Sequence, residues 1–555
     1  MSFRFAVPPE LRGAVEAAGA DWHTNGKIDR FWQKDPSLWT KSGEQDWLGW
    51  IDIAERGEKQ LAGYAALAAD VKSAGFESAL LVGMGGSSLC PEVLSLTFGR
   101  QPGFPALHIV DSTDPAQVKS VRDKLDLAKT LIVVASKSGS TLEPNILKQY
   151  FFAEMTKAVG ADKAGSHFIA ITDPGSKMEQ VAKADGFRHI FYGDPQIGGR
   201  YSALSNFGVV AATIAGLDIA RLFGEAAKAV ASAHHDQASN PAVQLGLLMG
   251  TAANAGRDKI TLFTSPEIHD LGAWLEQLIA ESTGKDGKGL VPIDGEPLGD
   301  PTLYGNDRFF IDLRTEGEDD TAHDEKLAAL EKAGHPVVHI VMQSIEHIGQ
   351  EFFRFELATA VAGSVLGINP FNQPDVEAAK IKTRELTAAF EKSGKLPAEK
   401  PVMSSAEVDL YTDSKNADDL RKAGANGDLH SWLKAHLGRS GADDYVALLA
   451  YIERDAAHID SLQHMRLAVR DKRHVATCAE FGPRFLHSTG QAYKGGTDSG
   501  VFLQITSDDA RDIAVPGQKA SFGIIKAAQA RGDFDVLTDR GRRALRVHLK
   551  GDLAS

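Results

Sequence analysis

A chain of 555 residues can bury a large core and is expected to fold as more than one domain. Its 43% hydrophobic and 24% charged residues are those of an ordinary globular protein, and a net charge of −14 argues against a general nucleic-acid binder while leaving room for a local positive site. Two cysteines, Cys90 and Cys478, exclude a disulfide framework and a four-cysteine zinc site.

The first residues lack the apolar core of a signal peptide, and no uncharged apolar run reaches membrane-spanning length, so the compartment is read as cytoplasm. Residues 1–75 carry amphipathic patterns over 9–20 and 46–74, which predicts a helical start with an N-terminal helical segment at 1–45. From residue 78 the pattern changes. Short β-branched runs at 78–82, Ala106–Val110, 131–135, 167–172 and His189–Tyr192 alternate with helical stretches. Further strands are expected at 259–263, 309–313, 337–341, Tyr445–Tyr451, 474–478, 501–506 and Arg543–Leu549, with helices over 271–280, 352–366 and 523–530. Strands separated by helices imply parallel sheets joined by right-handed crossovers. The fold class expected is α/β, with two doubly wound, mainly parallel-sheet domains and helices on both faces. The first domain is placed at 46–255 and the second at 256–555, the latter including a linker or excursion at 392–445.

Four stretches carry chemistry. Ser136-Lys137-Ser138-Gly139-Ser140-Thr141-Leu142-Glu143 joins a buried strand to a helix and gathers hydroxyls and backbone N–H groups where the helix dipole favours an anion. It reads as a phosphate cradle; the alternative is a Ser-rich turn with a capping hydroxyl. Gly83-Met84-Gly85-Gly86-Ser87-Ser88 follows another strand, but matches neither the dinucleotide fingerprint nor a Walker A loop. In Gly198-Gly199-Arg200-Tyr201-Ser202 two glycines let the backbone bring a guanidinium near an anion; a structural ion pair is the alternative. In Gln277-Leu278-Ile279-Ala280-Glu281-Ser282-Thr283-Gly284-Lys285 an apolar helix closes on a carboxylate suited to general-base work, or on a solvated helix-end glutamate.

Together with Asn369-Pro370-Phe371-Asn372-Gln373-Pro374 and Glu377-Ala378-Ala379-Lys380, these motifs occur in this order in glucose-6-phosphate isomerases, which the chain resembles over about residues 80–380. More narrowly, Gly482-Pro483-Arg484-Phe485-Leu486-His487-Ser488-Thr489-Gly490-Gln491 and Phe352-Phe353-Arg354-Phe355-Glu356 resemble the isomerase half of bacterial transaldolase/phosphoglucose isomerase fusions. The transaldolase half has no counterpart in these 555 residues.

The resemblance implies SIS-type (sugar-isomerase) domains and interconversion of glucose 6-phosphate and fructose 6-phosphate through a cis-enediolate, with no cofactor and no metal. It implies that Gly86, Ser87, Ser136, Ser138 and Thr141 hold the sugar phosphate, with Lys137 accessory to them. Glu281 would be the base, Arg200 would stabilise the enediolate, and Gln277 and Gln373 would contact substrate oxygens. Lys380 would assist at the ring oxygen. The family's ring-opening histidine is replaced by Asp307 in Tyr304-Gly305-Asn306-Asp307-Arg308, so His487 is expected to take that role, with His347 as second candidate. The partner implied is a small sugar phosphate rather than nucleic acid or membrane. Family members are dimers that complete each site across subunits, which implies a homodimer; alternatively, one chain supplies its own histidine. Two rival readings remain: another phosphosugar aldose–ketose isomerase, and a phosphosugar sensor that binds without turnover.

Overall fold

The computed structural model describes residues 1–235, 239–318 and 320–551. Its first sheet is fully parallel, with strands in the order Ala106–Val110, Ser78–Val82, Thr130–Ala135, Phe168–Thr172 and His189–Tyr192. The central strands are almost continuously apolar because helices cover both faces. Leu81, Val133 and Ile169 enter one core cluster, while Leu80, Ile132 and Ala170 enter another. Connections leave the two central strands in opposite directions, so Ser78–Val82 and Thr130–Ala135 flank the topological switch point. Ligands of open α/β sheets bind in that crevice, and the two Gly/Ser-rich turns predicted to meet there follow these strands.

The second sheet runs Ser2–Ala6, Val337–Met342, Arg308–Thr315, Lys259–Thr264 and Val291–Ile293. Its first member corrects the all-helical start. Phe3 and Phe5 alternate with Ser2 and Arg4, and the segment adds as an antiparallel edge to Val337–Met342, with Phe3 opposite Ile340. Helices Pro9–Thr24 and Lys27–Trp32 follow it. One large core joins the first two sheets, and the helices Asn206–Ile214, Pro241–Asn254, Leu271–Thr283 and Ile348–Leu366 run through it.

The mainly parallel α/β build is as expected, but residues 256–555 carry two sheets rather than one. The third runs Met403–Ser404, Val408–Tyr411, Arg543–Leu549, Gly500–Ser507, Tyr445–Tyr451 and Ala476–Phe481. The stretch 392–445 is therefore no simple linker. Val408–Tyr411 pairs antiparallel with Arg543–Leu549, and helices Ser414–Lys422 and Leu429–Leu437 bury Leu420 and Trp432 in the core under this sheet. Its high Lys, Asp and Gly content is what an edge presents to water.

Buried charges fix this third unit against the first sheet. Arg484 meets Glu92 at 2.5 Å and Asp111 at 2.8 Å, Arg454 also meets Glu92 at 2.5 Å, and Lys526 meets Asp114 at 2.9 Å. No helix among the described residues is long and apolar enough to cross a membrane.

Candidate active site

The loop after Thr130–Ala135 turns at Gly139, whose φ of 66° is left-handed and whose Cβ would lie 2.3 Å from the Met178 nitrogen, so only glycine fits. Ser138 and Ser140 hydroxyls lie 2.7 Å apart, and the Asn145 amide closes the loop on the Gly139 and Thr141 carbonyls. Thr141 is the residue preceding helix Leu142–Val159, and its hydroxyl does not cap the helix; Pro144 brings no N–H to the first turn, and the Leu142 N–H is left without a cap. Ser138, Ser140 and Thr141 line a cavity of about 340 Å³ together with Lys380, Arg384 and His487, whereas Arg200, Gln277, Glu281 and Gln373 lie outside its lining.

Below the loop, Ser136 is buried with its hydroxyl unpartnered. Lys137 does not line the cavity as the cradle reading expected. Its ammonium is 2.6 Å from the Asp173 carboxylate and 3.0 Å from the Asp194 carbonyl, which anchors the loop to the next strand's turn. Gly86 and Ser87 occupy the neighbouring turn Gly85–Ser87. A Cβ on Gly86 would lie 2.0 Å from the Gly199 carbonyl oxygen, so this glycine lets the Arg200 turn press against the first sheet.

Arg200 is buried and fully engaged. Its Nε donates to Ser282 at 2.8 Å, Nη1 to Gln373 at 3.0 Å, and Nη2 to the carbonyls of Pro370 and Asn372 at 2.7 and 3.0 Å. The Glu281 carboxylate lies 3.6 Å from Nη1, in the last turn of helix Leu271–Thr283. Lys285 donates to the Asn369 and Asn372 carbonyls, and so pins the segment that carries Gln373; burial, then the nearby Arg200 charge, pushes its ammonium well below the usual lysine range. Gln277 is the link to the cavity: its amide donates to Glu281 at 3.1 Å and to the His487 carbonyl at 2.8 Å.

His487 ends the short helix Arg484–His487 that follows the third sheet's Ala476–Phe481. Its Nε2 lies 3.1 Å from the Glu143 carboxylate, and among the described residues no protein group bonds to Nδ1. Burial would raise the Glu143 carboxyl, but the His487 imidazole, with a lesser contribution from Lys380, more than offsets it and holds the group below its ordinary range. His347, the second candidate, is elsewhere: its Nε2 is 3.8 Å from Glu225, outside the cavity. Asp307, where the histidine was sought, is buried 3.4 Å from Lys259, and burial raises its carboxyl.

Sequence reasoning gave Glu143 no role of its own and passed over Gln529, whose amide donates to Glu143 at 2.5 Å. A glutamate in the first turn of a helix looks like ordinary dipole compensation; its burial against an imidazole has no local signature.

The profile of the phosphoglucose isomerase family matches residues 71–296, which hold the first sheet, the Arg200 turn and the Glu281 helix. A glucose-6-phosphate isomerase of Rubrobacter xylanophilus is 30% identical over 372 residues, covering 59% of this chain and 86% of that protein. This chain belongs to the glucose-6-phosphate isomerase family. A family member from Heliobacterium modesticaldum is 27% identical over 399 residues, covering 63% of this chain and 88% of its own. Among solved structures, a glucose-6-phosphate isomerase of Chlamydia trachomatis shares the fold, with a TM-score of 0.58 at 20% identity over 71% of this chain and 89% of that one. A hypothetical protein of Thermus thermophilus does likewise, with a TM-score of 0.59 at 23% identity over 69% of this chain and 99% of its own. His487, in the turn after Ala476–Phe481, lies outside the residues that the family profile matches.

Proposed function

We propose that this chain interconverts D-glucose 6-phosphate and D-fructose 6-phosphate by proton transfer through a cis-enediolate. The observation that carries the reading is the linked cluster Arg200–Glu281–Gln277–His487, in which a carboxylate base and a buried guanidinium are tied through Gln277 to the backbone of His487, the member that lines the cavity together with the Ser138–Thr141 loop.

The phosphate is held by the Ser138, Ser140 and Thr141 hydroxyls and the uncapped Leu142 N–H of helix Leu142–Val159, with Ser136 beneath. Ring opening moves a proton between the anomeric hydroxyl and the ring oxygen, with His487 and Lys380 serving at that end. Glu281 then takes the proton from C2 of the aldose and returns it to C1, while the hydroxyl proton of O2 passes to O1, giving the ketose. Arg200 faces the negative charge that develops on the enediolate, already fixed by four protein partners, so it need not reorganise as the charge forms. Gln277 and Gln373 orient the base and the guanidinium.

The first two sheets supply the cradle, the base and Arg200, and the third unit supplies the histidine. The Gly482–Gln491 stretch supports the narrower kinship with the isomerase half of transaldolase/phosphoglucose isomerase fusions. A charged sugar phosphate does not cross membranes, which favours action in the cytoplasm.

A coupled assay on fructose 6-phosphate tests the reading. The unmutated chain turns over, and Glu281→Gln loses activity by about 10²–10⁴-fold while still binding substrate. Absence of turnover by the unmutated chain overturns it.

A further inference from the structure

Glu143 is held by two side chains from the third unit, and only one of them is the histidine. Gln529, buried in helix Phe522–Asp539, donates from Nε2 to Glu143 Oε1 at 2.5 Å, the same oxygen that meets His487. The amide has no freedom to flip. Thr113, fully buried in the turn after Ala106–Val110, donates its hydroxyl to Gln529 Oε1 at 2.6 Å, so the NH₂ end must face Glu143. One turn earlier on the same helix, Lys526 is 2.9 Å from Asp114 in that same turn, which fixes the helix axially. Gln529 also lines the substrate cavity.

We infer that Gln529 is a positioning residue for ring opening, one that sets the orientation of Glu143 and through it the tautomer and aim of His487. With Glu143 Oε1 held as a carboxylate acceptor, His487 carries its proton on Nε2 and presents Nδ1 to the cavity. Without Gln529 the carboxylate can rotate about its terminal torsion, which is broad, and the imidazole loses its fixed partner. A histidine whose orienting carboxylate is disturbed loses catalytic power even when every reacting group remains. The inference rests on His487 being the ring-opening group. It adds that the chain Thr113–Gln529–Glu143–His487 is the means by which first sheet and third unit are held in register for chemistry.

The test compares two substrates. Fructose 6-phosphate must open its ring, whereas 5-deoxyfructose 6-phosphate has no C5 hydroxyl and cannot form its furanose ring. Turnover of the first is read by coupled assay, and exchange of a C1 proton of the second with solvent deuterium by NMR. Gln529→Leu, of similar volume, lowers kcat on fructose 6-phosphate about tenfold with KM nearly unchanged, and leaves the exchange rate within about twofold. Thr113→Val, which keeps the helix in place if Gln529→Leu does not fold, lowers kcat about threefold with the same selectivity. A parallel loss on both substrates, or no loss on either, overturns the inference. His487→Gln is run alongside. If it separates the two substrates and neither Gln529→Leu nor Thr113→Val does, the positioning role falls and the histidine assignment stands; if it does not separate them, both fall.

Discussion

His487 Nε2 lies 3.1 Å from Glu143 Oε1, although 344 positions separate the two residues in the chain. Their meeting joins the first turn of helix Leu142–Val159 to a turn of the third sheet, and places an imidazole on the cavity wall. The expected consequences of this architecture can be measured one by one.

Arg200→Lys keeps the charge and loses the fork. A lysine can reach one or two of Ser282, Gln373, Pro370 and Asn372, but it cannot hold all four in the geometry the guanidinium spans. We expect kcat to fall by about 10²–10³-fold and stability by about 1–3 kcal/mol, because buried acceptors lose their donor. Steady-state kinetics and calorimetry check the two effects.

Ser138→Ala combined with Thr141→Val removes two hydroxyls from the cavity lining, where the proposed function places the sugar's phosphate. KM for fructose 6-phosphate rises about tenfold while kcat changes by less than about threefold, and inhibition by inorganic phosphate weakens in parallel. An unchanged phosphate inhibition constant would remove the phosphate assignment from this loop.

Arg484→Met leaves Glu92 and Asp111 without the guanidinium between them, although Arg454 still reaches Glu92. A buried pair broken on one side costs about 3–5 kcal/mol. Because Arg484 begins the same short helix that His487 ends, activity falls together with melting temperature. Adding Asp111→Asn to the variant restores part of the melting temperature, since the stranded charge is gone.

A second cavity, of about 240 Å³, borders helix Leu271–Thr283 and is lined by Asp270, Glu276, Asp294 and Glu480. Burial first, and Glu92 next, push the Asp270 carboxyl up to about 7; burial also brings Asp294 to about 6 and Glu480 to about 7. Folded values above the unfolded ones mean that the folded state favours the protonated forms. Their contribution to stability is complete below the unfolded value near about 4 and is lost as pH rises through about 7. Asp270→Asn removes one member. Its melting temperature exceeds that of the parent by about 2–4 °C at about pH 8 and equals it at about pH 4. A difference that is the same at both pH values would show that ionisation of Asp270 is not the cause.

Much of this was legible in the chain. The continuous apolar runs of the first sheet announced strands covered on both faces, and the Gly/Ser-rich turns follow the two strands that flank the switch point. Arg200 and Glu281 stood out because glycines before an arginine, and a carboxylate closing an apolar helix, are local patterns. Ser2–Ala6 was missed because five alternating residues do not declare a strand without a partner, and its partner lies more than 330 positions downstream. The stretch 392–445 left a linker and an excursion both open because edge strands and solvent-facing helices have the composition of linkers.

The sequence by itself determined most strands of the first sheet, the turns that only glycine can make, and Glu281 and Arg200 as the candidates for base and guanidinium, since each rests on patterns encoded within a few neighbouring residues. The tertiary structure alone decided which side chains meet. It directed Lys137 to Asp173, set His347 beside Glu225, and brought His487 and Gln529 from the third unit onto Glu143. A hydrogen bond requires contact within about 3 Å, and contacts between residues hundreds of positions apart are fixed by how helices and sheets pack, which no local pattern records.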